Sequence, residues 1–489
     1  LRLDELLQGE EYTVIEGAAH LAQEINGLTG DSRQVAPGYL FAALPGTKTD
    51  GRLFINDAIE KGATAILAPL GTQLKEQADQ VPLIVDENPH RRFAKLAARY
   101  YQTQPETIAA VTGTNGKTSV AHFLRQLWTA AKHRAASLGT IGIQTDTDSI
   151  EGNLTTPDPV ALHKSLRDLA DQGITHLAME ASSHGLDQFR LDGVRISAAA
   201  FTNLTRDHLD YHGTMAVYLE SKARLFAEVL IDGGTAVLNI DAPEFERLNS
   251  ICIDRGHRVM TYGIEQGDIC CKRIIDTPNG YDLDLAVHDE RFIVSLPLIG
   301  TFQIANALCA LGLAIATGEK PKSAAAALEA LKSAPGRLQP IAGHPSGAMV
   351  FIDYAHTPDA LSHVLLALRP HTKGSLSVIF GCGGDRDTGK RPEMGNIAKT
   401  LADHVIVTDD NPRSEESSKI RADIMAACPE AQEIGDRTAA IQTGIKDLQR
   451  GDVLVVAGKG HETGQIIGDD VLSFDDVQAV KAAIEELRS

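Results

Sequence analysis

The chain has 489 residues, 43% hydrophobic and 23% charged, ordinary values for folded domains. At about 150 residues per domain it has room for roughly three, each burying its own core. A formal net charge of −19 weighs against sustained binding to nucleic acid or an anionic membrane, yet leaves room for a small anionic ligand where loops supply local donors. No apolar run approaches about eighteen residues, and the start, LRLDELLQGE, has no leader pattern. A cytoplasmic protein with neither membrane nor nucleic-acid partner is therefore expected; a monomer is the expected state, though nothing in these totals fixes it. The six cysteines show no C-x-x-C pair or zinc spacing, which fits buried thiols.

Residues 1–87 carry short strands broken by turns (YLFAAL, GATAILAPL, VPLIVDENP) and end near Pro89, where the helical run HRRFAKLAARYY begins. From Ile108 the pattern changes to apolar runs that end in polar, glycine-containing loops: IAAVTGTNGKT, HLAMEASSHG, ISAAAFTNLTRDH, TAVLNIDAP. Buried parallel strands separated by helices fit this second block, 88–335. A third block, 336–489, repeats the logic in MVFIDYAHTP, SVIFGCGGDRD, HVIVTDDNPR and VLVVAGKGHE. Ligands of open α/β sheets bind outside the carboxyl ends of the strands, so these four loops are expected to share one crevice.

TGTNGKT, Thr112 to Thr118, lies between an apolar run and the helical segment SVAHFLRQLW. Backbone N–H groups of Gly113, Thr114, Asn115 and Gly116 and of the helix start can surround a phosphate, Lys117 can reach the β and γ phosphates, and the Thr118 hydroxyl can bind Mg²⁺. The general phosphate-loop pattern wants glycine at Val111; here it falls at Gly113. Glu180 ends a later strand, and TNLTRDHLDYHG brings Asp207, His208, Asp210 and His212 together, all suited to an Mg²⁺ site. In the helix that follows, Met215, Leu219, Phe226, Val229 and Leu230 form an apolar stripe with Lys222 inside it. Either Lys222 snorkels out past Phe226, or its amine reacts with CO₂ and becomes a metal-binding carbamate.

TGTNGKT, MEASSHG, TNLTRDHLDYHG with YLESKARLF, GTFQIANALCA, the PGR ending at Arg337, and DYAHTP occur in an order that resembles the Mur ligase family along the entire chain. The resemblance implies an α/β protein of three domains: an N-terminal UDP-binding domain (1–87), a central P-loop ATPase with a mostly parallel sheet (88–335), and a C-terminal Rossmann-like domain holding an amino acid (336–489). It implies ATP and Mg²⁺ as cofactors, a carbamate on Lys222, metal ligation by Thr118, Glu180, His208 and Lys222, and catalytic roles for Lys117, Lys222 and His208. It also implies nucleotide contacts from Asn306, Arg337 and Asp353. The uridine-nucleotide site resembles Ser32 with the turn Thr47, Lys48 and Thr49, and the muramoyl-peptide contacts resemble Thr155, Thr156, Ser182, Gln188 and Arg190. Gly30 and His356 depart from residues that relatives can carry, and no role is transferred to His356.

In DDNPR, Arg413 offers a planar fork suited to a carboxylate, Pro412 stiffens its loop, and Asp410 and Asn411 can meet an ammonium. Neighbouring loops add Arg386, Gly458 and Glu462. An internal Arg–Asp pair within the loop is the alternative reading. Two arginines and two carboxylates match a ligand carrying both charges at its far end, as meso-diaminopimelate does and lysine does not. Together with these residues, the resemblance implies ATP-driven amide synthesis, through an acyl phosphate, between diaminopimelate and the D-glutamyl carboxylate of UDP-N-acetylmuramoyl-L-alanyl-D-glutamate. A folylpolyglutamate-type ligase and a P-loop NTPase switch remain the alternatives.

Overall fold

A computed structural model of the chain describes residues 1–9, 13–17, 20–46, 49–74, 81–152 and 154–488. The described chain divides into two compact units, Leu1–Asp268 with Cys309–Pro321, and Ile269–Leu308 with Lys322–Ser489.

The first unit holds two sheets. Strands β1 (Thr13–Glu16), β2 (Gly27–Thr29), β3 (Tyr39–Ala42), β4 (Ala65–Pro69) and β5 (Leu83–Asp86) lie in the order β1-β5-β4-β3-β2, parallel except for β1. The helix Pro89–Tyr101 begins with proline at its first turn and the Asn88 side chain accepting from Arg91 N–H, a pre-organised start. It packs Phe93, Leu96 and Ala97 into the core of this sheet, with Leu28, Leu40 and Leu67.

The second sheet follows with β6 (Thr107–Thr112), β7 (Ala135–Gly139), β8 (Gly142–Gln144), β9 (Ser149–Ile150), β10 (His176–Glu180), β11 (Ile196–Phe201), β12 (Leu230–Asn239) and β13 (Arg258–Tyr262). Their order is β13-β12-β11-β6-β10-β7-β8-β9, parallel from β13 to β7. Ala109, Ala110 and Val111 in β6 and Ala198, Ala199 and Ala200 in β11 are buried, as strands covered on both faces require. Both β6 and β10 therefore deliver their carboxyl ends, Thr112 and Glu180, to one edge.

Among the buried histidines of this unit, burial holds His122 down to about 3 and His163 and His176 to about 4, from an ordinary 6.5. Between pH 6.5 and about 4 the unfolded chain takes up protons that these native imidazoles refuse, so stability falls as pH falls through that window. Denaturant titrations at pH 7 and pH 5 are expected to show the lower midpoint at pH 5; equal midpoints would contradict the buried, neutral assignment.

The second unit contains an antiparallel meander, β14 (Ile269–Thr277), β15 (Gly280–Val287) and β16 (Glu290–Leu296), which the sequence reading did not anticipate. Its main sheet comprises β17 (Gln339–Ile341), β18 (Met349–Asp353), β19 (Leu376–Phe380), β20 (His404–Val407), β21 (Gln432–Glu433) and β22 (Val453–Ala457), in the order β17-β18-β22-β19-β20-β21. Only β17 runs antiparallel, and the last of these six strands in chain order, β22, is inserted between β18 and β19. That insertion brings the loops after β18, β22, β19 and β20 to one sheet edge, as the alternation of apolar runs and polar loops predicts. A hairpin, β23 (Gly464–Ile467) and β24 (Asp470–Ser473), follows.

Arg437 and Asp476 form a fully buried ion pair, Nε to Oδ1 at 2.7 Å and Nη2 to Oδ2 at 2.8 Å. Arg437 also donates to the carbonyl of Ala457 at 3.0 Å, tying the end of β22 to the start of the helix Asp476–Glu486. Asp476→Asn would leave the guanidinium buried without its counter-charge, and a stability loss of about 2–3 kcal/mol by urea denaturation is expected.

Candidate active site

In the first unit the site is built on TGTNGKT between β6 and the helix Lys117–Ala130. Gly113 has φ +145° and Gly116, capping the helix, φ +89°, conformations that favour glycine; a Cβ on Gly113 would also run into the Thr202 hydroxyl. The loop is braced by the segment after β11: Thr114 N–H donates to the Asn203 carbonyl (2.8 Å), Asn115 N–H to Asn203 Oδ1 (3.0 Å), and Thr202 Oγ1 to the Asn115 carbonyl (2.6 Å). Two of the N–H groups expected to cradle a phosphate are thus engaged by Asn203.

Lys117 Nζ donates to the carbonyls of Gly113 (3.0 Å) and Thr114 (2.9 Å). Lys222 Nζ donates to the same Gly113 carbonyl at 2.7 Å and lies 4.2 Å from the centre of the Tyr218 ring. Lys222 is 1% exposed, so it does not snorkel past Phe226, and no carboxylate among the described residues pairs with it. Burial, reinforced by the nearby Lys117 charge, holds its amine well below the usual lysine range. The expected apolar stripe is also rearranged. The helix ends at Arg224, a π-turn covers Leu225–Val229, Leu230 opens β12, and Tyr218 rather than Met215 or Leu219 is the buried partner.

Glu180 is buried at the end of β10, and both its oxygens accept from Thr140, Oε1 from N–H at 2.8 Å and Oε2 from Oγ1 at 3.1 Å. Gly139 leaves the room, since a Cβ there would meet the Glu180 carboxyl. Thr118 is buried at the helix start. His208 adopts φ +53° and stands perpendicular to His184 at 4.9 Å between ring centres; burial lowers the pKa of both, that of His184 to about 4. A carboxylate and a hydroxyl suit a hard divalent cation, and a neutral imidazole can add a further ligand. Among the described residues no group of three or more His, Cys, Asp or Glu forms a ready metal cage.

The residues expected to meet the muramoyl peptide form one network. Thr156 Oγ1 donates to the Glu180 carbonyl (3.0 Å) and accepts from Ser182 N–H (3.1 Å) and Oγ (3.0 Å), so its side chain is a knot between loops. Arg190 donates to the Thr156 carbonyl (2.7 Å) and to Gln188 Oε1 (2.6 Å), and Gln188 to the Tyr211 hydroxyl (3.1 Å). Thr155 faces Thr140, hydroxyl to hydroxyl, at 3.0 Å. Ser32 is buried in a turn capped by Asp31, and Thr49 closes a turn with Gly46. Thr47 and Lys48 lie outside the described residues.

In the second unit Asp353 accepts backbone N–H bonds from Leu338 and Ala355, both 2.7 Å, locking the PGR and DYAHTP loops together, while burial raises its pKa. Arg337 lies over the Tyr354 ring at 4.5 Å, and Asn306 donates to Gln303 at 3.0 Å.

The loops after β19 and β20 are stitched: Gly384 N–H donates to the Asn411 carbonyl (2.9 Å), the Ser414 hydroxyl to Asp385 Oδ1 (2.6 Å), and Asp385 N–H to Glu415 (2.6 Å). Arg413 Nη1 donates to the Gly384 carbonyl at 2.8 Å. No carboxylate among the described residues forms an ion pair with Arg413 or with the exposed Arg386, so the internal Arg–Asp pair is not formed. Asp410 is buried and accepts from Asn411 N–H at 2.6 Å; Pro412 is buried, and Gly458, at φ +113°, leaves space beside Asp410 Oδ2. Asn411, expected to face a ligand, is instead consumed by Lys459, Glu462 and Ile466. The buried Lys459 was missed because a lysine between two glycines gives no sign that it points inward.

The sequence pattern of the Mur ligase middle domain matches residues 111–314, that of the Mur ligase glutamate ligase domain residues 336–460, and that of the Mur ligase catalytic domain residues 24–101. The chain is 52% identical over 471 residues, 95% of each protein, to a Bradyrhizobium diazoefficiens protein named UDP-N-acetylmuramoyl-L-alanyl-D-glutamate--2,6-diaminopimelate ligase. A Rhizobium meliloti protein of the same name is 51% identical over 94% of each. A solved structure under that name superposes with a TM-score of 0.73 at 35% identity, covering 100% of this chain and 99% of the other. No helix among the described residues is long and apolar enough to cross a membrane, and the six cysteines are free and buried.

Proposed function

The chain belongs to the Mur ligase family, and on that premise we propose that it joins meso-diaminopimelate to the D-glutamyl carboxylate of UDP-N-acetylmuramoyl-L-alanyl-D-glutamate at the expense of ATP, in peptidoglycan precursor synthesis. Full-length similarity to proteins of that name supports the reaction. One observation carries the amino acid: Arg413 is held by backbone carbonyls and forms no ion pair with a described carboxylate, which leaves its guanidinium for one from a ligand.

In the proposed reaction Lys117 draws the γ-phosphoryl group toward the D-glutamyl carboxylate, whose oxygen bonds the phosphorus as the bond to the β-phosphate breaks and ADP leaves, giving an acyl phosphate. The free amine of diaminopimelate attacks the carbonyl carbon, the C–O bond to phosphate breaks, and the amine loses its proton. Glu462 orients the remote ammonium and Arg413 the remote carboxylate. Thr118, Glu180, His208 and a carbamate on Lys222 would hold Mg²⁺, which when bound neutralises charge on the phosphates. Buried oxygen donors at Thr118 and Glu180 and the lowered amine of Lys222 support this set. The division at 1–87, 88–335 and 336–489 is kept, supported by the separate main sheets, although the helix Pro89–Tyr101 contributes to the first core. A cytoplasmic monomer acting on soluble substrates suits this role.

The test is ATP-dependent phosphate release with the UDP-muramoyl dipeptide and each of diaminopimelate, lysine, ornithine and glutamate. Release is expected only with both substrates present, and with diaminopimelate far ahead. Turnover that needs neither substrate would indicate an NTPase switch, and turnover with a folate in place of the dipeptide a folylpolyglutamate-type ligase.

A further inference from the structure

Lys459 is 0% exposed and carries three donors, all used: Asn411 Oδ1 at 3.1 Å, Glu462 Oε2 at 3.0 Å and the Gly464 carbonyl at 2.6 Å. The glycines on either side, at φ +113° and +57°, turn the chain so that this side chain points inward. An ammonium so fully coordinated is a fixed post rather than an acid or base.

What it fixes follows from the partners. Asn411 Oδ1 accepts from Lys459 and from Ile466 N–H (3.0 Å), which sets the amide orientation and aims Nδ2 at Glu462 Oε2, 2.8 Å away. Glu462 Oε2 is therefore held twice, while Oε1 accepts no hydrogen bond from the described residues. Ile466 in turn accepts Arg413 N–H at 3.0 Å through its carbonyl, and Gly468 N–H donates to the Arg413 carbonyl at 2.7 Å. From Lys459, one step reaches the Glu462 carboxylate and three, through Asn411 and Ile466, reach the backbone N–H of Arg413.

We infer that Lys459 is a positioning residue that sets the placement of Glu462 relative to Arg413, and so tunes the site to an amino acid whose far end carries an ammonium and a carboxylate at one fixed separation. This rests on the diaminopimelate reading above. Asn411 is, on this account, part of the brace, and Glu462 Oε1 is the oxygen offered to the ligand.

The experiment is steady-state kinetics of Lys459→Met with all three substrates, and a double-mutant cycle with Glu462→Gln. Expected is a rise in KM for diaminopimelate of about tenfold or more, from acceptors left unpaired, with KM for ATP and for the UDP-dipeptide within about twofold. The preference for diaminopimelate over lysine should shrink. In the Glu462→Gln background the same change should add less than about threefold, because the two residues act as one unit. Equal losses for all three substrates, or fully additive effects, overturn the inference. If Lys459→Met shows no cooperative melting, Lys459→Arg, which keeps the buried charge but not its geometry, is expected to give the same split, and its absence counts equally against it. A wild-type protein that ignores diaminopimelate but uses another amino acid refutes the substrate reading instead; the split is then measured with that amino acid, and no split there overturns the role of Lys459.

Discussion

Lys222→Ala is expected to abolish ligation, with kcat falling by about 10³-fold or more, and a short carboxylate or bicarbonate is expected to restore part of it. The reason is electrostatic. Lys222 and Lys117 both donate to the Gly113 carbonyl, at 2.7 and 3.0 Å, and Lys222 forms no ion pair with a described carboxylate, although the charge of Asp207 reaches it. Two ammonium groups sharing one carbonyl in a buried setting repel each other, and burial with Lys117 holds the Lys222 amine well below its usual range. A neutral amine is the nucleophile that CO₂ needs: an N–C bond would form, a proton would leave, and a carbamate anion would stand where the buried amine was. The new anion would oppose Lys117 in sign and offer oxygens to Mg²⁺ beside Thr118 and Glu180. Native mass spectrometry should find one added CO₂ on the wild-type protein and none on the variant. Undiminished activity of the alanine variant would refute the carbamate role, as would a loss that no carboxylate repairs.

What could be read from residue order alone was whatever local chemistry enforces. TGTNGKT was legible because Gly113 and Gly116 sit at φ +145° and +89°, a requirement written into the residues themselves. The third block was legible because each buried parallel strand is an unbroken apolar run that stops where its loop begins. The meander β14–β16 was missed although its signals exist: Asp282, Leu283, Asp284 and Leu285 alternate, and Asn279-Gly280 marks a hairpin turn. The helix carrying Lys222 was read as one stripe through Leu230 because neither glycine nor proline marks its end at Arg224; a π-turn there shifts which side chains face inward. Contacts across long separations left no trace in spacing. Lys222 meets Gly113 across 109 positions and Lys459 meets Asn411 across 48, and those two contacts decide which polar groups are braces and which are left for a ligand.

Arg413→Ala should raise KM for diaminopimelate by about 10²–10³-fold while KM for ATP stays within about threefold. The side chain is presented by an unusually constrained backbone. Arg413 has φ +52°, its N–H is given to Ile466 and its carbonyl is taken by Gly468 N–H, at 3.0 and 2.7 Å. Nη1 is anchored on the Gly384 carbonyl at 2.8 Å, which leaves the rest of the fork for a partner. A non-glycine residue at positive φ stores strain, so the alanine variant must be compared with Arg413→Gly, which relieves it. If the side chain is what matters, the two variants lose affinity alike; if the backbone is what matters, glycine alone recovers. Arg413→Lys keeps the charge without the fork and should fall between. Lysine as substrate lacks the remote carboxylate, so the wild-type protein should favour diaminopimelate by the same factor that Arg413→Ala forfeits. Equal use of lysine and diaminopimelate by the wild-type protein, or equal damage to the ATP and diaminopimelate requirements in the variant, would make Arg413 a loop anchor and leave the choice of amino acid unexplained.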